Sequence, residues 1–196
     1  ERAARRAERP RTRRRRDGEA LRRAEDADAF VRDILRKSTW PERLRGRAID
    51  FSGMQPLRDC RSERSWFSRS LKRKVGYDSQ GERRLIRALD HGAMVTDFLE
   101  QPLEIPYDYQ GRSRLYVPDV LIRVDDDLFF VIEIKARQRL ADDLTLAKAE
   151  AAERHLGARG IGYCLADAEG FGLSDLRALN VDDRFDRALQ LLLADR

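Results

Sequence analysis

With 196 residues, 41% of them apolar and 38% charged, the chain is long enough to bury a proper core and too apolar to be disordered throughout. No apolar run approaches a membrane span, no secretory signal is visible, and Cys60 and Cys164 lack metal-type spacing. A cytoplasmic protein with reduced thiols and no membrane partner is therefore expected. The net charge of +5 is uneven, because residues 1–16 carry nine Arg against two Glu and leave the rest of the chain nearly neutral.

Residues 1–19 read as a basic, flexible arm. Its Arg13, Arg14, Arg15 and Arg16 are candidates for contact with nucleic acid, a solubilising tail being the alternative. Residues 20–78 read as a helical and irregular accessory segment. Leu21, Ala24, Ala27, Phe30, Val31, Ile34 and Leu35 recur at helical spacing over 20–37, and Ser38-Thr39-Trp40-Pro41 ends that helix. The stretch 41–69 has no clear period, but Trp40, Phe51, Trp66 and Phe67 imply that it packs on the main body. Arg69, Lys72, Arg73 and Lys74 form a basic cluster that suits phosphates or a solvated face.

The spacing predicts a helix over Ser79–His91, with Leu85, Ile86 and Leu89 inward and Gly92 as its C-terminal cap. Strands follow over Ala93–Glu100 and Leu103–Tyr109, the second placed at an edge by Pro106, and Gln110-Gly111 turns into Arg112–Val117. Val117–Val124 and Leu128–Ile134 then read as strands buried on both faces. Asp125-Asp126-Asp127 between them fits a turn better than a metal site. Leu144–Leu156 is helical, Gly157 and Gly160 end it, and Ile161–Ala166 extends the sheet by a crossover. Leu173–Asn180 is irregular, and Asp182–Asp195 closes a C-terminal helical segment over 173–196. His91 and His155 lie near helix ends and read as structural. Lys148 reads as a solvated helix lysine in preference to a polar residue placed near the site.

The chemistry concentrates at the ends of the two buried strands. Asp119 opens one strand, and pairing across the acidic turn brings it beside Glu133, which shares a face with Lys135. Two carboxylates about 4 Å apart repel by roughly 4 kcal/mol at an effective dielectric near 20. A hard divalent cation bound through oxygen would offset that cost. Ordinary strand-end charges reaching water are the alternative. No Gly-x-Ser-x-Gly elbow, phosphate loop or Cys/His zinc spacing offers a competing chemistry.

Pro118-Asp119 followed by Glu133-Ile134-Lys135 resembles the PD-(D/E)xK nucleases. Ser79-Gln80-Gly81-Glu82, Glu100-Gln101-Pro102-Leu103, Tyr109-x-Gly111 and Tyr116-x-Pro118-Asp119 narrow the resemblance to the N-terminal domain of TnsA-type transposon-end endonucleases. At Glu133 the match is to the broader motif, since that group often has Gln there. The resemblance implies an α/β, restriction-endonuclease-like core over 79–172, a mixed β-sheet flanked by helices in the order α-β-β-β-α-β, with helical appendages at both ends.

The same resemblance implies a DNA endonuclease using Mg²⁺, with Mn²⁺ able to substitute. Asp119, Glu133 and the Ile134 carbonyl would be its ligands, with Glu82 joining directly or through water and Lys135 as the active-site lysine. Ser79-x-x-Glu82 is equally a capping box, which would commit that carboxylate to the backbone; the metal-site role is preferred here. Partners would be double-stranded DNA and, in transposition, a transposase and an ATPase regulator. Alternatives are a restriction, repair or phage-defence nuclease of the same fold, or a non-cutting DNA-binding or assembly subunit.

Overall fold

A computed structural model describes residues 23–41, 54–57, 64–124 and 128–178. Arg13–Arg16, Phe51, Cys60, Asp125–Asp127 and the closing helix expected over Asp182–Asp195 lie outside the described residues. Helix α1 covers 23–37. It is followed by β1 (Ser65–Ser68), β2 (Arg73–Gly76), α2 (Gln80–His91), β3 (Val95–Glu100), β4 (Ile105–Tyr109), β5 (Arg112–Tyr116), β6 (Val120–Val124) and β7 (Leu128–Ile134). A 3₁₀ turn (Arg137–Arg139), α3 (Asp143–Gly157), β8 (Gly162–Ala166) and α4 (Leu173–Ala178) complete the order.

The central sheet runs β3-β6-β7-β8. Its first three strands are antiparallel, and β8 joins β7 in parallel after the α3 crossover. With helices on both faces this is the expected α/β, restriction-endonuclease-like arrangement. Side-chain alternation splits the core in two. Val120, Ile122, Phe130, Ile132 and Ile134 pack with Val31 and Ile34 of α1 and Leu85, Ile86 and Leu89 of α2. Leu121, Phe129, Val131, Tyr163 and Leu165 pack instead with Ala149, Ala152 and Leu156 of α3. Both faces of β7 are covered, which is why its sequence reads as a continuous apolar run.

Four details differ from the sequence reading. The strand expected over Val117–Val124 begins only at Val120, because β5 is paired with β4 in a separate hairpin and Val117–Asp119 leads from it into the sheet. Gly92 caps α2 with extended backbone (φ −71°, ψ 137°) and not a left-handed turn. A Cβ there would lie 2.9 Å from Asp28 Oδ1, so close approach of α1 requires the glycine. Residues 65–76 form a hairpin that periodicity did not reveal. Its turn is held by the α2 side chain Asp90, which accepts hydrogen bonds from the N–H groups of Arg69 and Ser70, the hydroxyls of Ser68 and Ser70, and Trp66 Nε1. Leu173–Ala178 is helical, with Asp175 Oδ2 accepting the Gly172 N–H just before it.

Of the accessory aromatics, Trp40 and Trp66 pack on the body as expected and Phe67 does not. Thr39 bridges to Tyr163 on β8, and Trp40 lies flat on Gly162, where a Cβ would meet its ring at 2.8 Å. Trp66 is partly buried against the first core, whereas Phe67 is 60% exposed. Among the described residues no helix is long and apolar enough to cross a membrane.

Candidate active site and metal centre

The register of β6 and β7 builds the site. Val120 faces Ile132 and Leu121 faces Val131, so one step further Asp119 comes level with Glu133. Both then fall on the α3 side of the sheet, with Leu121 and Val131. Asp119 Oδ2 accepts the Ile134 N–H at 2.7 Å, and Lys135 Nζ stands 2.5 Å from Glu133 Oε1. Lys135 Nζ also approaches the Ile134 carbonyl, at 3.4 Å. The Lys135 N–H continues the pairing onto β8 through the Ala166 carbonyl.

Burial shapes the electrostatics. It pushes the Asp119 carboxyl well above the usual carboxylate range; the Glu133 and Glu82 charges add to this, while Lys135 and the Ile134 N–H oppose it. Glu133 is raised by burial too, against the pull of Lys135. For Lys135 burial acts downward, but the carboxylates of Glu133, Asp119 and Glu82 outweigh it, and the group is held as an ammonium above the ordinary lysine range. In that form the amine donates hydrogen bonds and positive charge.

Glu82 takes the capping role that its sequence context allowed. Ser79 Oγ accepts the Glu82 N–H at 3.1 Å, and Glu82 Oε2 accepts the Asp78 N–H at 2.7 Å, so the carboxylate closes the N-terminus of α2. Its charge is nevertheless felt at Asp119 and Lys135. Helix α2 reaches this position because Gly81 sits directly on β7: a Cβ there would lie 2.7 Å from Ile134 Cγ2. Among the described residues no three His, Cys, Asp or Glu side chains are gathered closely enough to hold a metal ion. The structure thus brings Asp119, Glu133 and Lys135 together and does not gather Glu82 into one ligand set with them.

The donor set still suits a hard cation. Glu133 Oε2 is buried and has no hydrogen-bond partner, as does Tyr163 Oη nearby on β8. Asp119, Glu133 and the Ile134 carbonyl are oxygen donors of the kind Mg²⁺ prefers, and a buried carboxylate oxygen without a donor is an unusual cost for a fold to carry.

The basic residues divide. Arg73 is committed to Glu100 through a two-pronged pair, 2.7 Å for each N–O contact. Arg69, Lys72 and Lys74 are exposed around the β1–β2 turn. Two further residues lie at the site: Lys148, for which the sequence reading preferred a solvated position, and Gln101, which it did not single out. Lys148 is not a solvated lysine: its Nζ lies over the rings of Tyr107 and Tyr116 and its charge reaches Glu133. Gln101, in the left-handed region at φ 47°, donates its N–H to the Asp119 carbonyl at 2.7 Å. Its Nε2 reaches Asp78 Oδ2 at 3.4 Å, so Gln101 ties the Asp119 peptide to the start of α2. The Glu100-Gln101-Pro102 element was the signal for it.

No curated protein matches the chain. Residues 93–168 match the family model described as TnsA-like endonuclease N terminal. The matched stretch starts after α2, so Asp119, Glu133 and Lys135 lie within it and Glu82 outside. Sheet order and match agree, and over residues 93–168 the chain is similar to the TnsA-like endonuclease N-terminal family.

Proposed function

We propose that this chain is a Mg²⁺-dependent DNA endonuclease that hydrolyses phosphodiester bonds, as the end-cleaving subunit of a transposition system. Family and fold support a function within the PD-(D/E)xK-like nuclease superfamily. The observation that carries the finer reading is the buried, partnerless Glu133 Oε2 level with Asp119 on an adjoining strand. Asp119 and Glu133 would hold the ion with the Ile134 carbonyl, and Glu82 would join through water. When bound, Mg²⁺ or Mn²⁺ supplies Lewis-acid polarisation of the phosphoryl group and an acidified water. Lys135, as an ammonium, orients that water and offsets the charge gathering on the phosphate. Double-stranded DNA would meet the exposed Arg69, Lys72 and Lys74 and the arm residues Arg13–Arg16. The transposition role rests on the family match alone, and it implies a transposase and an ATPase regulator as partners.

A non-cutting DNA-binding subunit is the second reading, favoured by Lys135 closing on Glu133 Oε1. Plasmid incubated with the full chain in Mg²⁺, Mn²⁺ or EDTA, alone and with a transposase and ATPase encoded beside it, separates the two. Metal-dependent cutting that Asp119→Ala abolishes while DNA binding persists supports the enzyme. Equal inactivity of wild type and variant under every condition, with DNA still bound, supports the binding subunit.

A further inference from the structure

From the site to the tip of the β4–β5 hairpin runs a row of three cations, two of them laid on tyrosine rings. In the hairpin register Ile105 faces Tyr116, Tyr107 faces Arg114, and Tyr109 faces Arg112, so these six side chains share one face. The root of that face is buried with α3. There Lys148 Nζ lies 5.4 Å from the centre of the Tyr116 ring and 5.6 Å from that of Tyr107. One cross-strand pair further out, the Arg114 guanidinium lies 5.7 Å from the Tyr109 ring. Arg112 follows at the tip. The opposite face carries Pro106, Leu115, Asp108 and Ser113, so the cations are segregated onto one side of the ribbon.

Several other arginines around the core are already matched by acids. Arg73 pairs with Glu100, Arg84 with Glu169, Arg123 with Asp97, Arg137 with Asp167, and Arg139 with Asp142. Arg112 and Arg114 are exposed and have no carboxylate partner among the described residues. Positions 112, 114 and 116 recur along the strand every ~7 Å, two strand residues at a time. That spacing is comparable to the separation of successive phosphates along one nucleic-acid strand. Tyrosine rings beneath Lys148 and Arg114 limit their freedom without neutralising them, which is what a phosphate-binding surface needs. The row begins near Glu133, where the charge of Lys148 is felt.

We propose that Lys148, Arg114 and Arg112 form a phosphate track for one strand of duplex DNA, leading from the scissile position along the inner face of the β4–β5 hairpin. This rests on the nuclease reading above. Binding of a labelled duplex, followed by fluorescence anisotropy with Ca²⁺ in place of Mg²⁺ over a range of salt, tests it without requiring turnover. Arg112→Ala/Arg114→Ala should lower the log–log salt slope by about one for each lost phosphate contact. It should also weaken binding by about ten-fold or more. Arg112→Lys/Arg114→Lys should restore the slope, and Arg32→Ala/Arg36→Ala, an equal charge change on α1, should leave it in place. An unchanged slope in the hairpin alanine pair, or an equal loss in the α1 pair, overturns the track. If wild type cuts DNA and the slope does not move, the track alone is wrong. If wild type neither binds nor cuts duplex DNA, the nuclease reading fails and the track with it, and an acidic protein becomes the partner to seek.

Discussion

Asp119 carries its charge at an electrostatic cost. Burial, Glu133 and Glu82 all act against its charge, and only Lys135 and the Ile134 N–H favour it. An acid whose folded pKa is raised binds its proton more tightly in the native state, so the folded chain loses stability as pH climbs from the unfolded value through the folded one. Asp119→Asn keeps an oxygen for the Ile134 N–H and removes the charge. At neutral pH it should raise the melting temperature by about 2–4 °C, the shift that 1 kcal/mol gives in a chain of this size, while abolishing cleavage. A thermal scan beside a plasmid assay checks both halves. A melting temperature that falls would mean the carboxylate is structurally required and not held at a cost for function.

At the scale of elements, two joints place the site. The first is α2 on β7, where Gly81 leaves no room for a side chain beside Ile134 Cγ2. The neighbour is a buried β-branched side chain that cannot swing away, so Gly81→Ala should cost about 1–3 kcal/mol by overpacking. By displacing Glu82 it should also lower cleavage beyond the stability loss; urea titration and rate together separate the two effects. The second joint is the β1–β2 turn on Asp90. Burial acts to raise that carboxyl, but the hydrogen bonds from Ser68, Ser70, Arg69 and Trp66 hold it well below the usual carboxylate range. With a depressed folded pKa, its contribution is complete above the unfolded value of 3.8 and is lost as pH falls below it. Asp90→Ala should destabilise by about 3 kcal/mol at pH 7, because several donors lose one acceptor together. The gap between variant and wild type should narrow below about pH 4.

The whole molecule is larger than the stretch that carries the family match. Residues 93–168 contain the central sheet and α3, but Val31, Ile34, Leu85, Ile86 and Leu89, which cover the other face, lie outside it. A chain cut to 93–168 would leave Ile122, Phe130 and Ile132 open to water. It should bind a hydrophobic dye and lack near-UV circular dichroism, whereas the full chain should do neither. A cooperative melt from the short chain would show that α1 and α2 are dispensable for folding.

The sequence by itself determined the central strands, the two main helices and the Asp119–Glu133–Lys135 set. Those features are written locally, as apolar runs, helical spacing and a short motif whose parity puts the side chains on one face. It could not decide between the capping and metal roles of Glu82, because the same Ser79-x-x-Glu82 spacing serves both. Tertiary structure alone decided the rest: the β1–β2 hairpin held by an aspartate from α2, the separate β4–β5 ribbon, and Lys148 resting on two tyrosines from another element. Each of these depends on groups far apart along the chain meeting in space, and no period within a single segment records such a meeting.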